Sequence, residues 1–294
     1  MATPRTEALH DKATGLDERP LPDVAALLAE GQIAAAATAR EAASQIATGA
    51  AALSRTIRSG GILHYVAAGS SGLMAAADAQ ELGGTFSIPP AQLRIHMAGG
   101  LPTGVEMPGD TEDDTSKLET ALAGLSARDT VIAVSASGST PYTLCAARIA
   151  RASGATIVAI ANNAGSDLLD LADHPICLAT PPELISGSTR MGAGTAQKIA
   201  LNMLSTLMAV ELGHVHDGMM VNLRADNAKL RARAAAMVAH IAKVETATAA
   251  KALDRTGGEV KPAILVASGL APDAANEILR NSEGNLRAAL ARIN

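Results

Sequence analysis

Aromatic residues are almost missing from this chain, with no Trp, two Tyr and one Phe among 294 residues. Tyr65, Phe86 and Tyr142 cannot build a core of stacked rings, and a platform on which bases or flat sugar faces would stack is excluded with it. Ala, Leu, Ile and Val must carry the packing. Cysteine is as scarce: Cys145 and Cys177 lie in apolar runs without CxxC spacing or a neighbouring His, the pattern of buried free thiols. Nor is there a basic excess. The net charge of −5 argues against a nucleic-acid or anionic-membrane partner. No run of about 20 uncharged apolar residues occurs, and MATPRTEALHDKATGLDERPLPD carries no apolar segment behind positive charge. The expectation is a cytoplasmic protein that spans no membrane.

What is present is globular in composition, 48% hydrophobic and 18% charged. Residues 1–22, with Pro4, Pro20 and Pro22, read as an arm or capping segment. From Asp23 to about Arg58 an alanine-rich text with few breakers predicts two helices or one long one. Gly60-Gly61 ends it, and the period then shortens. Ile62–Ala67 reads as a strand running into Ala68-Gly69-Ser70-Ser71-Gly72 and a helix from Leu73 to Glu81. Thr130–Val134 leads into Ser135-Ala136-Ser137-Gly138-Ser139-Thr140-Pro141 and a helix to Arg151. Ala155–Ala161 and Pro175–Ala179 are further strands, and Leu93–Met97 adds one between the first two units. Short apolar runs alternating with helices predict βαβ units and a parallel sheet covered on both faces. The fold class is therefore α/β: a three-layer α/β/α sandwich with N-terminal helices and a small C-terminal helical module. The expected boundaries are 1–58, 59–215 and 216–294. Ala263–Ala267 reads equally as a strand or a buried helical turn.

In parallel sheets, ligands bind beyond the carboxyl ends of the strands, where loops enter helix N-termini that favour anions. Those loops are rich in hydroxyls here: Ser70 and Ser71, then Ser135, Ser137, Ser139 and Thr140. A third segment, Glu183-Leu184-Ile185-Ser186-Gly187-Ser188-Thr189-Arg190, adds three hydroxyls and an arginine. Glycine admits close backbone approach and hydroxyls donate to phosphate oxygens, so an anion can be held without a basic surface. Ordinary N-capping explains any one loop equally well; three together point to a phosphate. The dinucleotide G-x-G-x-x-G spacing and the GxxxxGK[ST] motif are both absent.

AAGSSG, SASGSTPY and above all SGSTRMGAGTAQKIALNMLST (Ser186 to Thr206) resemble the sugar isomerase (SIS) domain family, specifically bacterial N-acetylmuramic acid 6-phosphate etherases. The resemblance extends to Thr6-Glu7, the DAQE run ending in Glu81, Gly109 to Asp113, Met220 to Leu230 and ILRNSEGNLRAAL. It implies cleavage of the D-lactyl ether of a phosphorylated amino sugar, giving N-acetylglucosamine 6-phosphate and D-lactate in peptidoglycan recycling, without metal or nucleotide. It also implies elimination followed by hydration. Removing the C2 proton and expelling lactate from C3 needs one base and one acid, and the acid must keep its proton near neutral pH. Matched residue by residue, the pair is Glu81 in DAQE and Glu112 in GDTEDD, with donor and base interchangeable. Ser70, Ser71, Ser135, Ser137, Ser139 and Thr140 would hold the phosphate. Glu183, Ser186, Ser188, Arg190 and Lys198 complete the candidate binding set. Glu81 stands ten residues past Ser71, about 15 Å along a straight helix. Either the sugar spans part of that distance or a second subunit supplies one group, so a homodimer is expected.

The chain departs from the family pattern where cations usually stand: Leu73 and Ser139 replace arginines, and Gly192 replaces a lysine. Gly83 and Gly84 replace two prolines after the Glu81 segment. Two other readings therefore stay open, a phosphosugar sensor without turnover and an aldose–ketose phosphosugar isomerase. Retention of both glutamates argues against a sensor. His214 and His216 flank Val215 at a spacing that suits a metal on a strand, but no further ligand completes a cluster, which leaves surface or helix-cap residues. His64 and His96 read as satisfied residues of the strand layer. Tyr65, Phe86 and Tyr142 all border the hydroxyl loops or the Glu81 helix, and at most one or two of these rings would shape the pocket wall.

Overall fold

The computed structural model describes residues 5–107, 111–223, 225 and 227–293. Pro4, Gly109 and Asp110, as well as Arg224 and Asp226 of the Met220–Leu230 run, lie outside the described residues. The chain divides into two compact units, residues 1–80 with 91–205, and residues 81–90 with 206–294.

The first unit opens with an arm containing two single 3-10 turns, Arg5–Glu7 and Leu16–Glu18. Two alanine-rich helices follow, α1 (Leu21–Glu41) and α2 (Ala43–Arg58), separated only at Ala42. Next come β1 (Leu63–Ala67), α3 (Gly69–Phe86), β2 (Leu93–Met97), α4 (Leu118–Ala121), β3 (Thr130–Ser135) and α5 (Pro141–Ser153). The series ends with β4 (Thr156–Ala161), α6 (Asp167–Asp170), β5 (His174–Cys177) and α7 (Gly192–Glu211). The five strands form one all-parallel sheet in the order β2-β1-β3-β4-β5. β1 and β3 are buried along their whole length, which is why they read as continuous apolar runs rather than alternating ones.

The two faces of the sheet carry different helices. Val66, Val131, Ala133, Ile157 and Ala159 pack with Ala146, Ala147 and Ala150 of α5 and with Leu118, Leu122 and Leu168. On the opposite face Gly49 of α2 lies against Val158 and Ile176 and against Leu204 of α7. Alanine at the contact positions lets helices approach the sheet closely, so a dense core forms without rings.

The second unit contains the ends of α3 and α7, a two-residue hairpin of β6 (Val215–His216) and β7 (Met219–Met220), and α8 (Ala228–Ala242), α9 (Thr246–Arg255), α10 (Val260–Ala267), α11 (Pro272–Arg280) and α12 (Leu286–Leu290). Asp217 and Gly218 turn the hairpin, both at positive φ, as a primed two-residue turn demands. The ambiguous segment around Ala263–Ala267 is helical: α10 is buried from Val260 to Val266 and lies at the centre of this unit's own apolar cluster. A fully buried element shows neither the alternation of a half-buried strand nor an amphipathic period, so pattern alone could not assign it.

Candidate active site

β1 and β3 are hydrogen-bonded neighbours, yet β1 leads into α3 on one face of the sheet and β3 into α5 on the other. The crevice above them is the switch point of the sheet, where the strand order reverses and ligands bind in open parallel sheets. Both hydroxyl loops open there. Gly69 takes a positive φ of 53° and starts α3 directly after the strand, placing Ser70 and Ser71 in the first helical turn. That turn carries amides with no intrahelical acceptor.

In the second loop the hydroxyls are organised around Ser135. Its Oγ lies 2.8 Å from Thr140 Oγ1 and 3.3 Å from Ser137 Oγ, and it accepts the Gly138 amide at 3.0 Å. Ser137 Oγ accepts the Ser139 amide at 3.2 Å. Thr140 precedes α5 yet makes no side-chain cap bond, so simple capping does not account for it. Gly138, at φ 71°, packs so tightly on Ser166 that a Cβ would collide with Ser166 Oγ. Any other residue there would force the loop open.

Glu112 stands over this crevice. Its backbone carbonyl accepts the Tyr142 amide at 3.0 Å, tying it to the start of α5. Its Oε1 lies 2.7 Å from where a Gly69 Cβ would be, so the carboxylate covers the start of α3 as well. The side chain is exposed. Glu81 is also exposed, late in an unbroken α3, about 15 Å along the axis from Ser71 at 1.5 Å per residue.

The arm and the third hydroxyl segment meet beside the second loop. Asn163, after β4, accepts the Thr6 amide at 3.4 Å and donates through Nδ2 to Thr6 Oγ1 at 3.0 Å. The same Nδ2 reaches the carbonyls of Ala136 and Ser137 at 3.2 and 3.3 Å. Ser186 Oγ donates to the Glu7 carbonyl at 3.2 Å. Glu183 is buried, and its two carboxylate oxygens accept the amides of Gly192 and Ala193 at 2.9 and 2.8 Å. It therefore caps α7, and the anion-binding N-terminus of that helix is filled by the chain itself. Gly192, where the family carries lysine, faces Glu183 and Ala35 of α1, with both 3.1 Å from an added Cβ. Ser188 is half-buried, and Arg190 and Lys198 are exposed.

Several residues that hold the elements around the site in place were not visible in the sequence. Asp78, the first residue of DAQE, is buried and accepts from Tyr65 Oη at 3.0 Å, Asn202 Nδ2 at 2.8 Å and Ser205 Oγ at 2.9 Å. This network joins β1, α3 and α7, and burial beside the carboxylate pushes the Tyr65 phenol well above its ordinary value. Asn162 and Gln197 form a second buried pair at 2.9 Å. The only available signal was that Asp78, Gln197, Asn202 and Ser205 all fall inside the motif runs.

Three sequence expectations need correction. Cys145 and Cys177 are free but only half-buried. His216 is buried rather than on the surface, with Asp217 at 3.5 Å, because it lies in the β6–β7 hairpin. His64 is not fully satisfied: Nδ1 lies 3.0 Å from His96 Nε2, while its own Nε2 is buried without a partner among the described residues. The two rings stack with centroids 5.2 Å apart. Burial, with a smaller contribution from His96, pushes His64 down to about 4. Among the described residues no three His, Cys, Asp or Glu side chains gather as metal ligands.

A SIS domain model matches residues 107–212. The N-acetylmuramic acid 6-phosphate etherase of Deinococcus radiodurans is 41% identical over 97% of this chain and 95% of its own length. That of Streptomyces avermitilis is 40% identical over 99% and 94%. The chain belongs to the N-acetylmuramic acid 6-phosphate etherase family. A phosphoheptose isomerase structure from Francisella tularensis aligns over 65% of this chain and all of its own, at 17% identity and a TM-score of 0.46. No helix among the described residues is long and apolar enough to cross a membrane.

Proposed function

We propose that this protein is a carbon–oxygen lyase that cleaves the D-lactyl ether of N-acetylmuramic acid 6-phosphate in the cytoplasm. The observation that carries the reading is 40–41% identity to etherases over nearly the whole of both chains. The geometry agrees with it: the hydroxyl loops open at the switch point of the sheet, and Glu112 covers the first of them. The phosphate is held by the amides and hydroxyls of the Ser70–Ser71 turn and by Ser135, Ser137, Ser139 and Thr140. Ser186, Ser188, Arg190 and Lys198 lie in the third segment and on α7, and Glu183 supports that side by capping the helix.

One glutamate takes the C2 proton and the other protonates the C3 oxygen as the ether bond breaks, releasing D-lactate and leaving a C2–C3 double bond. Water then adds, its hydroxyl at C3 and its proton at C2, giving N-acetylglucosamine 6-phosphate. We assign Glu81 as donor and Glu112 as the second acid/base, an order that can be exchanged. Both carboxylates are exposed, so the desolvation a proton-holding acid needs comes from bound sugar or from a second copy of the chain. A homodimer is supported by α1, where only Ala35, Thr38 and Ala39 are buried and Leu21 and Ile33 stand 81% and 71% exposed.

The test is enzymatic release of D-lactate. Glu81→Gln and Glu112→Gln should each lower kcat by roughly 10²–10⁴-fold, the usual contribution of a general acid or base. Recovery of activity on mixing the two variants would show a site shared between copies. A sensor is the second reading, favoured by the exposed Leu73 and Ser139 where the family carries arginine. Absence of lactate release together with a raised Tm in the presence of the sugar phosphate would establish it.

A further inference from the structure

The second unit contains a cleft of about 780 Å³ that the proposed reaction does not use. Its walls are largely apolar, with Ile88, Val221, Leu223, Val260 and Leu279 among them. Lys261 projects from α10 into this apolar wall. It is 6% exposed, and its ammonium donates to the Gly284 carbonyl at 2.7 Å. Among the described residues no carboxylate pairs with it, although Glu259, Arg280 and His214 also line the cleft.

A buried ammonium with a single carbonyl acceptor is costly, because a charge removed from water needs a counter-charge or a full set of hydrogen bonds. The Gly284 carbonyl accepts one N–H and leaves two. Burial alone accounts for a Lys261 ammonium held down to about 8. At neutral pH it is still predominantly protonated.

We infer that this cleft is a binding site for a small organic monocarboxylate with an apolar body. The buried Lys261 ammonium balances one negative charge, whereas Arg280, the other permanent cation of the lining, is exposed to solvent. The aliphatic and prolyl walls suit a carbon chain, and the volume is that of an ordinary small-molecule site. None of the phosphate-holding residues lines this cleft, and the assignment stands whether or not the etherase reading does.

Hexanoate is the probe, titrated calorimetrically into the full-length protein, with 1-hexanol as the uncharged arm and with inorganic phosphate and D-lactate each added as competitors of hexanoate. The expectation is that hexanoate binds, hexanol binds at least tenfold more weakly, and neither phosphate nor D-lactate at equal concentration displaces hexanoate. Lys261→Met keeps the aliphatic stem and should lose at least tenfold in hexanoate affinity, with its fold checked by circular dichroism. Wild-type protein gives an independent measurement if that variant does not fold. Between pH 7.5 and 9 hexanoate affinity should fall about eightfold as Lys261 loses its proton, a window in which carboxylates and guanidinium groups do not titrate. No hexanoate binding, equal binding of hexanol, displacement of hexanoate by equal phosphate or D-lactate, an unaffected folded Lys261→Met, or a flat pH profile would each overturn the assignment.

Discussion

Tyr65→Phe isolates one hydrogen bond of the network that fixes α3 against the sheet. Tyr65 is 1% exposed, and its hydroxyl donates to Asp78 Oδ2 at 3.0 Å, while Oδ1 keeps Asn202 and Ser205. Deleting the hydroxyl leaves the ring packing intact and takes one donor from a buried carboxylate. A hydrogen bond to a charged group contributes about 1.5–3 kcal/mol, so unfolding free energy should drop by about 2 kcal/mol. For a chain of this size that is roughly 4–8 °C in Tm. Urea denaturation reads the loss directly, provided the m-value is unchanged. In an Asp78→Asn background the same substitution should cost at least 1 kcal/mol less (about half the single-variant loss), because the charged acceptor is already gone. A Tyr65→Phe protein within about 0.5 kcal/mol of wild type, or an equal loss in both backgrounds, would refute the network's role.

Other outcomes follow from the same geometry. Ser139 is an exposed loop position, so Ser139→Arg should restore a family cation there and lower KM for the sugar phosphate several-fold with kcat little changed, read by steady-state lactate release. Glu183→Ala removes the charged acceptor of two amides and should cost about 2–4 kcal/mol, whereas Glu183→Gln, which keeps one acceptor, should recover about half by thermal denaturation. His64 is held neutral in the fold down to about 4, below its unfolded value near 6.5. The unfolded chain therefore takes up the proton first: stability is full above pH 6.5 and declines by about 2–4 kcal/mol as pH falls toward 4. His64→Gln should flatten that decline in a pH series of urea midpoints. Asn163→Ala frees the arm from the second loop, and proteolysis near Thr6 should accelerate while the core digests no faster.

The parallel sheet was legible because each strand is a short apolar run, three of them closed by glycine-serine loops, and the strands at Leu63, Leu93, Thr130, Thr156 and His174 each start within one residue of the expected run. The hydroxyl loops were legible for the same reason. Less of the support around them could be read. Glu183 looked like a ligand because a carboxylate beside three hydroxyls suits a sugar site, and only the fold shows its oxygens on the amides of α7. Asp78 looked like any polar residue on an alanine-rich helix. His216 looked like a surface residue because its burial comes from tertiary packing around the β6–β7 hairpin.

The sequence by itself determined the fold class and the family, since periodicity, turn residues and motif runs are local properties that survive without coordinates. It also determined that recognition cannot depend on ring stacking, because there are only three rings. One of these, Tyr65, is consumed by Asp78 in the interior. Only the tertiary structure decided which polar groups face a ligand and which hold helices in place. It brought Glu112 from the β2–β3 connection onto Gly69 and sealed Lys261 in the wall of a second cleft. Both outcomes depend on contacts between distant segments, and burial is a property of those contacts rather than of the residue.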